Sequence, residues 1–298
     1  MMKRILPILL LLLVACTPKD NDSPKHVIFI GIDGFSAACF QSADLPFINS
    51  LKDQASWTLN KRCTFPTASA INWFTIFSGV PTEYHGYVRW NSRRPDITPA
   101  WTDERGEVPT IFHLTREAHP ESDILVTFQW EVIRSIVDST ALTTCKQFPQ
   151  NWDGDIEEAE WAAEYIKTNK PLFSLIYFGS LDHTGHEFGW ESDEYMAYAN
   201  HLDGVVKTIV ESVREAGMED DTVFIFTSDH GGHGKHHSSE YVDETVQTPF
   251  FIWGKGIRKG NSIEQAPLHI DIAPTIAKLL GVDPLPHWRG SVIEEAFE

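Results

Sequence analysis

The sequence is poor in basic residues and in cysteine, and each shortage excludes a class of protein. Its 24 lysines and arginines are outnumbered by 42 aspartates and glutamates, and the formal net charge of the 298 residues is −18. An acidic surface of this kind argues against a protein that binds the phosphate backbone of nucleic acids. It also means that an anionic substrate has to be attracted locally, by charges inside a binding site.

The four cysteines exclude a site of the Cys-x-x-Cys type, because no two of them have that spacing. Cys16 adjoins an N-terminal apolar segment, which leaves Cys39, Cys63 and Cys145. These three cannot all pair with one another, and the sequence does not select the two that could form a disulfide. The chain shows no internal repeat and no low-complexity segment, and it is long enough for one large domain or two small ones.

The N-terminal apolar run is too short to span a membrane as a helix. It covers residues 5–14 behind a positively charged start, which is typical of a signal peptide over residues 1–15. The Leu-Val-Ala-Cys sequence that ends at Cys16 resembles the bacterial lipobox and implies cleavage before Cys16 and lipid attachment to its thiol; ordinary secretion is the alternative. Residues 16–25 are polar and are predicted to be a tether. We therefore expect a lipid-anchored protein of the bacterial cell envelope, outside the cytoplasm, with the membrane as a partner.

Residues 26–298 alternate between apolar runs typical of buried strands and segments with helical spacing. Strands separated by helices favour right-handed crossovers and parallel pairing. We therefore predict a single α/β domain, with a mainly parallel central sheet and helices on both faces. The predicted strands are 26–32, 172–178, 222–227 and 249–253, and the predicted helices are 155–168, 191–216 and 270–280, the last of which ends at Gly281.

Three aspartates each follow one of the predicted buried strands. Asp33, Asp182 and Asp229 stand directly after the apolar runs or within a few residues of them. Ligand sites in open α/β sheets gather beyond the carboxyl ends of the strands. The sequence therefore predicts that three carboxylates from distant parts of the chain converge.

Histidines accompany two of these aspartates. Asp182 and His186 are four residues apart, which places both on one face of a helix, and a carboxylate with an imidazole suits zinc. Asp229 is followed by His230 and two glycines, which permit a turn that brings both side chains to one ion. Four histidines lie within residues 230–237. A flexible histidine-rich loop with loose metal affinity is the alternative interpretation.

These motifs occur in an order that resembles the alkaline phosphatase superfamily, and within it the type I phosphodiesterase/nucleotide pyrophosphatase branch. The resemblance runs from about residue 26 to about residue 281. Ser69 stands three residues before Asn72, in a stretch that continues to Gly79 and to Glu-Tyr-His-Gly at residues 83–86, as in the nucleophile region of the branch. Thr67 is the rival nucleophile, and the spacing to Asn72 favours Ser69. The sulfatase signature, a Cys or Ser followed by x-Pro-x-Arg, is absent.

The resemblance implies two Zn²⁺ ions held by two sets of side chains. One set is Asp182, His186 and His237, with His236 and then His233 as alternatives to His237; the other set is Asp33, Asp229, His230 and the Ser69 hydroxyl. Three carboxylates and two Zn²⁺ give the site a charge of about +1 before the serine ionises, which favours a serine alkoxide. This arrangement would supply the local positive field that the acidic surface lacks.

The activity that follows from the resemblance is phosphate ester hydrolysis through a covalent phosphoryl group on Ser69. Ser69 is expected at a helix N-terminus, and Asn72 is expected to donate to a phosphate oxygen. Trp73 is interpreted as an aromatic surface for the substrate, with a plain core position as the alternative. Ala70 stands where nucleotide-cleaving members carry an aromatic residue, which leaves nucleotide specificity open. The resemblance implies a phosphodiesterase that acts on a small-molecule or head-group ester, without naming it. A phosphomonoesterase and an inactive ligand-binding lipoprotein are the alternatives.

Residues 89–107 contain four arginines and two tryptophans and show little periodicity. We interpret this segment as a loop or small insertion over the site. A plain surface connection is the alternative.

Overall fold

A sheet of eight strands is the largest element of the computed structural model, which describes residues 23–239 and 241–298. The strands are β1 His26–Ile32, β2 Ala55–Arg62, β3 Ile124–Phe128, β4 Thr144–Gln147, β5 Phe173–Phe178, β6 Thr222–Thr227, β7 Gln247–Gly254 and β8 Asn261–Ser262. Their order across the sheet is β4-β3-β5-β1-β6-β7-β2-β8. Strand β7 is antiparallel to both of its neighbours, β6 and β2, and the other pairs are parallel.

Helices cover both faces of this sheet, so the predicted α/β class is confirmed. Eleven α-helices occur in the described residues. They are α1 Cys39–Ser42, α2 Pro46–Ser50, α3 Ser69–Ser78, α4 Thr82–His85, α5 Ile111–Ala118, α6 Val132–Ile136, α7 Trp152–Asn169, α8 Ser180–Phe188, α9 Asp193–Glu215, α10 Asp243–Val246 and α11 Ile272–Leu280. Helices α3, α5 and α11 contribute to the apolar cluster on one face, and α7 and α9 contribute to the cluster on the other.

The three strands at the centre of the sheet are buried along almost their whole length. Every residue of β5 and β6 is buried, and β1 is buried from Val27 onward. Side chains on both faces of a covered parallel strand are removed from water, which is why these strands are continuous apolar runs in the sequence. A fully buried side chain such as that of Phe29 or Ile30 contributes roughly 1.5–3 kcal/mol to folding. Residue Ile32 is level with Phe178, so β1 and β5 end together.

The predicted elements are all present, with boundaries set by local capping. Helix α7 begins before the predicted residue 155 because the Asn151 side chain accepts a hydrogen bond from the Gly154 N–H at 2.8 Å. Helix α9 begins after the predicted residue 191 because Ser192 caps it through the Tyr195 N–H. Helix α11 ends as predicted at Gly281, whose φ of 64° is left-handed. The sequence does not predict strands β2, β3, β4 and β8.

The predicted signal peptide, most of the predicted tether and the lipidation site Cys16 lie outside the described residues and stay predictions. Among the residues that are described, no helix combines the length and the apolar character needed to cross a membrane.

Candidate active site

The ends of β1, β5 and β6 bring the three predicted aspartates together. Asp33 directly follows β1, Asp229 lies two residues beyond β6, and Asp182 stands in the first turn of α8, which follows β5. The backbone N–H of Gly34 donates to the Asp229 carboxylate at 3.1 Å. A side chain at position 34 would place its Cβ 2.9 Å from Asp182, and φ there is +69°, so a glycine is needed for this approach.

Ser69 is the first residue of α3 and faces this cluster, as predicted. Its Oγ lies 3.4 Å from Asp33 Oδ1 and 3.2 Å from His230 Nε2. The Thr67 hydroxyl is fully buried and donates to the backbone carbonyl of His237. Geometry therefore favours Ser69 over Thr67 as the nucleophile, because only the Ser69 hydroxyl faces the carboxylates and imidazoles.

The prediction that Trp73 forms a substrate surface is wrong. Trp73 has no exposed surface, and its indole N–H donates to Asp33 Oδ2 at 2.9 Å. The Tyr177 hydroxyl donates to the same oxygen at 2.5 Å. Burial, and then the nearby Asp33 charge, raise the pKa of Tyr177, so its hydroxyl keeps its proton. Trp73 and Tyr177 therefore orient a carboxylate from the core side.

The predicted contact between Asn72 and a phosphate oxygen is also not supported. Asn72 has no exposed surface; its amide nitrogen donates to the carbonyls of Pro66 and Ala68, and its oxygen accepts from the Thr64 N–H. The hydrogen-bonding capacity of this side chain is used on the backbone that precedes α3. Asn72 therefore shapes the segment that carries Ser69.

Three histidines turn one ring nitrogen toward the carboxylates. Each holds the other nitrogen, Nδ1, against a backbone carbonyl: His186 on Lys235 at 2.9 Å, His230 on Gly231 at 2.9 Å and His237 on Thr67 at 2.5 Å. An Nδ1–H that donates to a carbonyl leaves Nε2 as a free lone pair, the arrangement that metal-binding histidines use. Nε2 of His186 and Nε2 of His237 are 3.1 Å apart. Two lone pairs at this separation favour a cation beside them.

Electrostatics lead to the same conclusion. Burial, and then the Asp33 charge, raise the pKa values of Asp182 and Asp229 well above the usual range. Burial lowers the pKa of His230. Burial, and then the neighbouring His230, lower the pKa of His237 to about 2. One oxygen of Asp182 and one of Asp229 are buried with no hydrogen-bond partner in the described residues. Unpaired buried oxygens are costly, and a bound cation would remove that cost.

The donor atoms fit metal ions in two overlapping groups. Asp182, His186 and His237 form one group, and Asp33, Asp182 and His230 form the other, with donor atoms within 4.8 Å of one another in each. The first group matches the set implied by the resemblance. The second differs from it, because Asp182 takes the place of Asp229, whose Oδ2 lies 3.2 Å from His230 Nε2. Carboxylate oxygens with imidazole nitrogens are a ligand set that zinc accepts.

A buried lysine and a histidine support Asp229 from behind, and sequence reasoning missed this pair. The Lys61 ammonium donates to the Ser228 carbonyl at 2.9 Å and lies 2.8 Å from His269 Nδ1. The other His269 nitrogen donates to the Asp229 carbonyl at 2.5 Å. Burial lowers the pKa of Lys61 to about 7. No sequence signal links residues 61 and 269, because β2 and the turn before α11 meet only in the folded chain.

A pocket of about 410 Å³ opens onto Ser69, Asp33 and Asp182. Two tryptophans line it, neither of which the sequence predicts as a site residue, and their rings stack at 6.1 Å with an interplanar angle of 11°. One is Trp130, and the other is Trp90, which is 59% exposed. Trp90 belongs to the segment 89–107, which contains neither helix nor strand, and its carbonyl accepts from the Ala70 N–H at 3.0 Å. The prediction of a loop over the site is thus confirmed.

Known proteins with similar sequences include phosphodiesterases. The chain is 24% identical over 234 residues to a venom phosphodiesterase of Macrovipera lebetinus, covering 72% of this chain and 26% of that protein. It is 25% identical over 245 residues to ectonucleotide pyrophosphatase/phosphodiesterase family member 7 of Mus musculus, covering 76% of this chain and 54% of that protein. The chain thus spans between about a quarter and about half of the length of these two relatives.

Solved structures with the same fold include members of two enzyme groups. Murine ectonucleotide pyrophosphatase/phosphodiesterase 5, as an inactive variant in complex with AMP, superposes with a TM-score of 0.72 at 15% identity, covering 92% of this chain and 100% of that one. A structure described as a putative sulfatase from Bacteroides thetaiotaomicron gives 0.73 at 16% identity, covering 92% and 74%. These likenesses show the alkaline phosphatase-like fold. A family model described as type I phosphodiesterase / nucleotide pyrophosphatase matches residues 27–260, most of the chain, and the protein therefore belongs to this family.

Proposed function

We propose that this protein is a metal-dependent phosphodiesterase in which Ser69 is the nucleophile. Family membership supports phosphoric ester chemistry. The observation that carries the proposal is the position of the Ser69 hydroxyl, 3.4 Å from Asp33 Oδ1 and 3.2 Å from His230 Nε2. In the same cluster, one oxygen of Asp182 and one of Asp229 accept no hydrogen bond from a described residue. A hydroxyl in such a site would become a nucleophile once a bound cation lowered its pKa.

The residues that would hold two zinc ions are those of the two donor groups, together with Asp229 and the Ser69 hydroxyl. When bound, zinc would lower the pKa of the Ser69 hydroxyl and stabilise charge on the phosphoryl oxygens. The Ser69 oxygen loses its proton and attacks phosphorus, and the bond to one alcohol of the diester breaks. Water then cleaves the resulting seryl phosphodiester, which releases the phosphate monoester and restores the Ser69 hydroxyl. Trp73 and Tyr177 fix the Asp33 carboxylate, and the start of α3 directs positive backbone charge at the phosphate. The Ala70 N–H is not available, since it donates to Trp90.

A diester suits this pocket better than a monoester. No lysine or arginine stands among the described residues that line it. A monoester dianion carries one more negative charge than a diester and gains more from an additional cation. The stacked Trp90 and Trp130 rings offer an apolar face to a second ester group, the role that the sequence assigned to Trp73.

Hydrolysis of matched esters tests the proposal. We expect a higher kcat/KM for bis-p-nitrophenyl phosphate than for p-nitrophenyl phosphate or p-nitrophenyl sulfate. Chelation should abolish the activity, and added Zn²⁺ should restore it. A preference for the monoester or the sulfate, or full activity after metal removal, would contradict the proposal.

The role of the stacked Trp90 and Trp130 rings in substrate binding can be tested separately. Trp90→Ala should raise KM for bis-p-nitrophenyl phosphate several-fold and leave methyl p-nitrophenyl phosphate unaffected, because only the former has a second aromatic group. Trp152→Ala is the matched control, since Trp152 is 44% exposed and stacks on His201 outside the pocket. Equal effects of Trp90→Ala on both esters would remove Trp90 from substrate binding.

We also propose that the protein is lipid-anchored at Cys16 in the bacterial cell envelope. The support is the N-terminal sequence pattern alone. Mass spectrometry of the native protein should find a diacylglyceryl group on the cysteine, and Cys16→Ala should abolish membrane association. An unmodified thiol in membrane-free native protein would contradict this assignment.

A further inference from the structure

A second cleft, next to the active-site pocket, has the opposite electrostatic character. It encloses about 560 Å³ and is lined by four arginines, Arg93, Arg94, Arg105 and Arg134, and by two acidic residues. The molecule as a whole carries a formal net charge of −18. A local cluster of positive charge on such an acidic protein attracts anions.

Two of the four arginines carry charge that nothing in the described residues compensates. Arg105 forms ion pairs with Asp103 at 2.7 Å and Asp138 at 2.6 Å, and Arg134 pairs with Glu131 at 3.2 Å. Arg93 and Arg94 are exposed, and neither forms an ion pair or a hydrogen bond with another described residue. Two adjacent free guanidinium groups can bind the oxygens of one tetrahedral anion in a bidentate manner.

A buried hydroxyl in the same cleft also has no partner. Thr110 lines the cleft, is 2% exposed, and its Oγ1 forms no hydrogen bond within the described residues. Thr110 is the residue before α5, where a threonine hydroxyl normally accepts a hydrogen bond from the first turn, and here it does not. The positive end of the α5 dipole and an unused hydroxyl therefore both lie at the arginine cleft.

The cleft and the active-site pocket are built from the same two segments. Trp90 lines the pocket and Arg93 lines the cleft three residues later; Trp130 lines the pocket and Arg134 lines the cleft. The two segments that place the stacked tryptophans in the pocket therefore continue into the arginines of the cleft. We propose that the cleft is a second anion-binding site, for a phosphate-like oxyanion on the substrate beyond the scissile ester or for free phosphate. The idea that the cleft binds part of the substrate rests on the proposed function, whereas the idea that it binds free phosphate does not.

Titration with inorganic phosphate at low ionic strength tests the site itself. Wild-type protein should bind phosphate in the cleft both with metal bound and after chelation, when the metal site no longer holds anions. The double variant Arg93→Gln/Arg94→Gln should weaken this binding at least about tenfold, because two charge-assisted hydrogen bonds are lost. Arg258→Gln/Lys259→Gln removes the same amount of charge from two exposed residues outside the cleft. This control should change the phosphate affinity less than about twofold.

Thr110→Val provides a variant without a charge change and should weaken phosphate binding about three- to tenfold. The site would be overturned if wild-type protein bound no phosphate after chelation, or if the Arg258→Gln/Lys259→Gln protein lost as much affinity as Arg93→Gln/Arg94→Gln.

The source of the anion is decided by two diesters with the same leaving group, butyl and phosphonobutyl p-nitrophenyl phosphate. If the oxyanion belongs to the substrate, the phosphonobutyl ester has the lower KM in wild-type protein, and Arg93→Gln/Arg94→Gln removes that advantage without changing the butyl ester. If the two KM values are equal while phosphate affinity depends on the arginines, the cleft binds free phosphate. Failure to hydrolyse either ester would count against the proposed function and leave the phosphate titration interpretable.

Discussion

The candidate site has two parts that differ in how the fold holds them. The inner group, Asp33, Ser69, Asp229 and His230, is at most 7% exposed and is supported by core side chains. The outer group, Asp182, His186 and His237, is more open at two of its three residues: the His186 side chain is 41% exposed and that of Asp182 18%, while His237 is buried. The outer histidines are held by backbone carbonyls of residues 67 and 235. The inner group is therefore part of the core, and the outer group is attached to it.

This difference predicts that inner substitutions alter both stability and chemistry, while outer ones alter ion binding and chemistry. The largest effect should come from the inner nucleophile. Ser69→Ala should lower kcat by about 10⁴-fold or more. Bound zinc should stay near the wild-type amount, because the carboxylate and imidazole ligands remain.

Thr67→Ala is the control for this substitution. It removes only a hydroxyl that donates to the His237 carbonyl, so activity should fall far less. Steady-state kinetics with metal analysis checks both variants. An active Ser69→Ala enzyme together with an inactive Thr67→Ala enzyme would transfer the nucleophile to Thr67.

A ligand from each group sharpens the comparison further. Asp229→Asn and His186→Ala should each remove nearly all activity and reduce zinc content. In chelated protein the two should differ. Asp229→Asn removes an ionisable carboxyl whose burial beside Asp33 raises its pKa, so the substitution should stabilise the fold by about 1–3 kcal/mol. His186→Ala should change stability by less than about 0.5 kcal/mol.

Chemical denaturation with and without zinc measures this contrast. In the presence of zinc the sign should invert for Asp229→Asn, because the lost ligand weakens the stabilising ion. Equal stability changes for the two variants in chelated protein would mean that the inner and outer groups are held alike.

The support behind the inner group should respond to pH through His85. Its Nδ1 accepts from the Tyr87 N–H, its Nε2 donates to Thr75 of α3, and burial lowers its pKa to about 3. Below pH 6.5 the unfolded chain binds a proton at this residue that the folded protein does not, so stability must fall as the pH falls toward 3. Between pH 7 and pH 5 the expected loss is about 2 kcal/mol.

Denaturant titrations of wild-type protein and His85→Gln at several pH values check this effect. The variant should show a flatter dependence on pH over the same window, since glutamine does not titrate. Identical pH profiles for the two proteins would mean that His85 is not held neutral in the fold.

The smallest effect should follow from Tyr177→Phe, which deletes the hydroxyl that donates to Asp33 and keeps the ring. We expect a stability loss of about 1 kcal/mol and a few-fold lower kcat. Tyr165→Phe deletes a comparable hydroxyl that donates to Asp123 away from the pocket and should leave kcat unchanged. A kcat that is unaffected by Tyr177→Phe would show that the Tyr177 hydroxyl is not needed to orient Asp33 and that the Trp73 N–H suffices.

Sequence reasoning located the residues of the site that follow buried strands, because burial on both faces leaves a continuous apolar run that marks the strand and its end. It misassigned Trp73 and Asn72 for a related reason. All ten residues of α3 are buried, so the helix has no polar face from which to infer which side meets the pocket. Trp90, Trp130 and the pair of Lys61 and His269 could not be predicted, since their meeting depends on loop paths and on contacts between distant segments.

The contact between Lys61 and His269 has a consequence for biosynthesis. Asp33 and Ser69 are made early, but the carbonyl of Asp229 is held by a histidine that lies beyond the end of the family match at residue 260. A growing chain therefore cannot complete the back of its own site until residue 269 has been added, long after Asp33 and Ser69. Until then the Lys61 side chain lacks the His269 imidazole, its partner at 2.8 Å. A chain cut at residue 260 would lack both His269 and helix α11, so it would lose the support behind Asp229 and part of the apolar cluster on one face of the sheet.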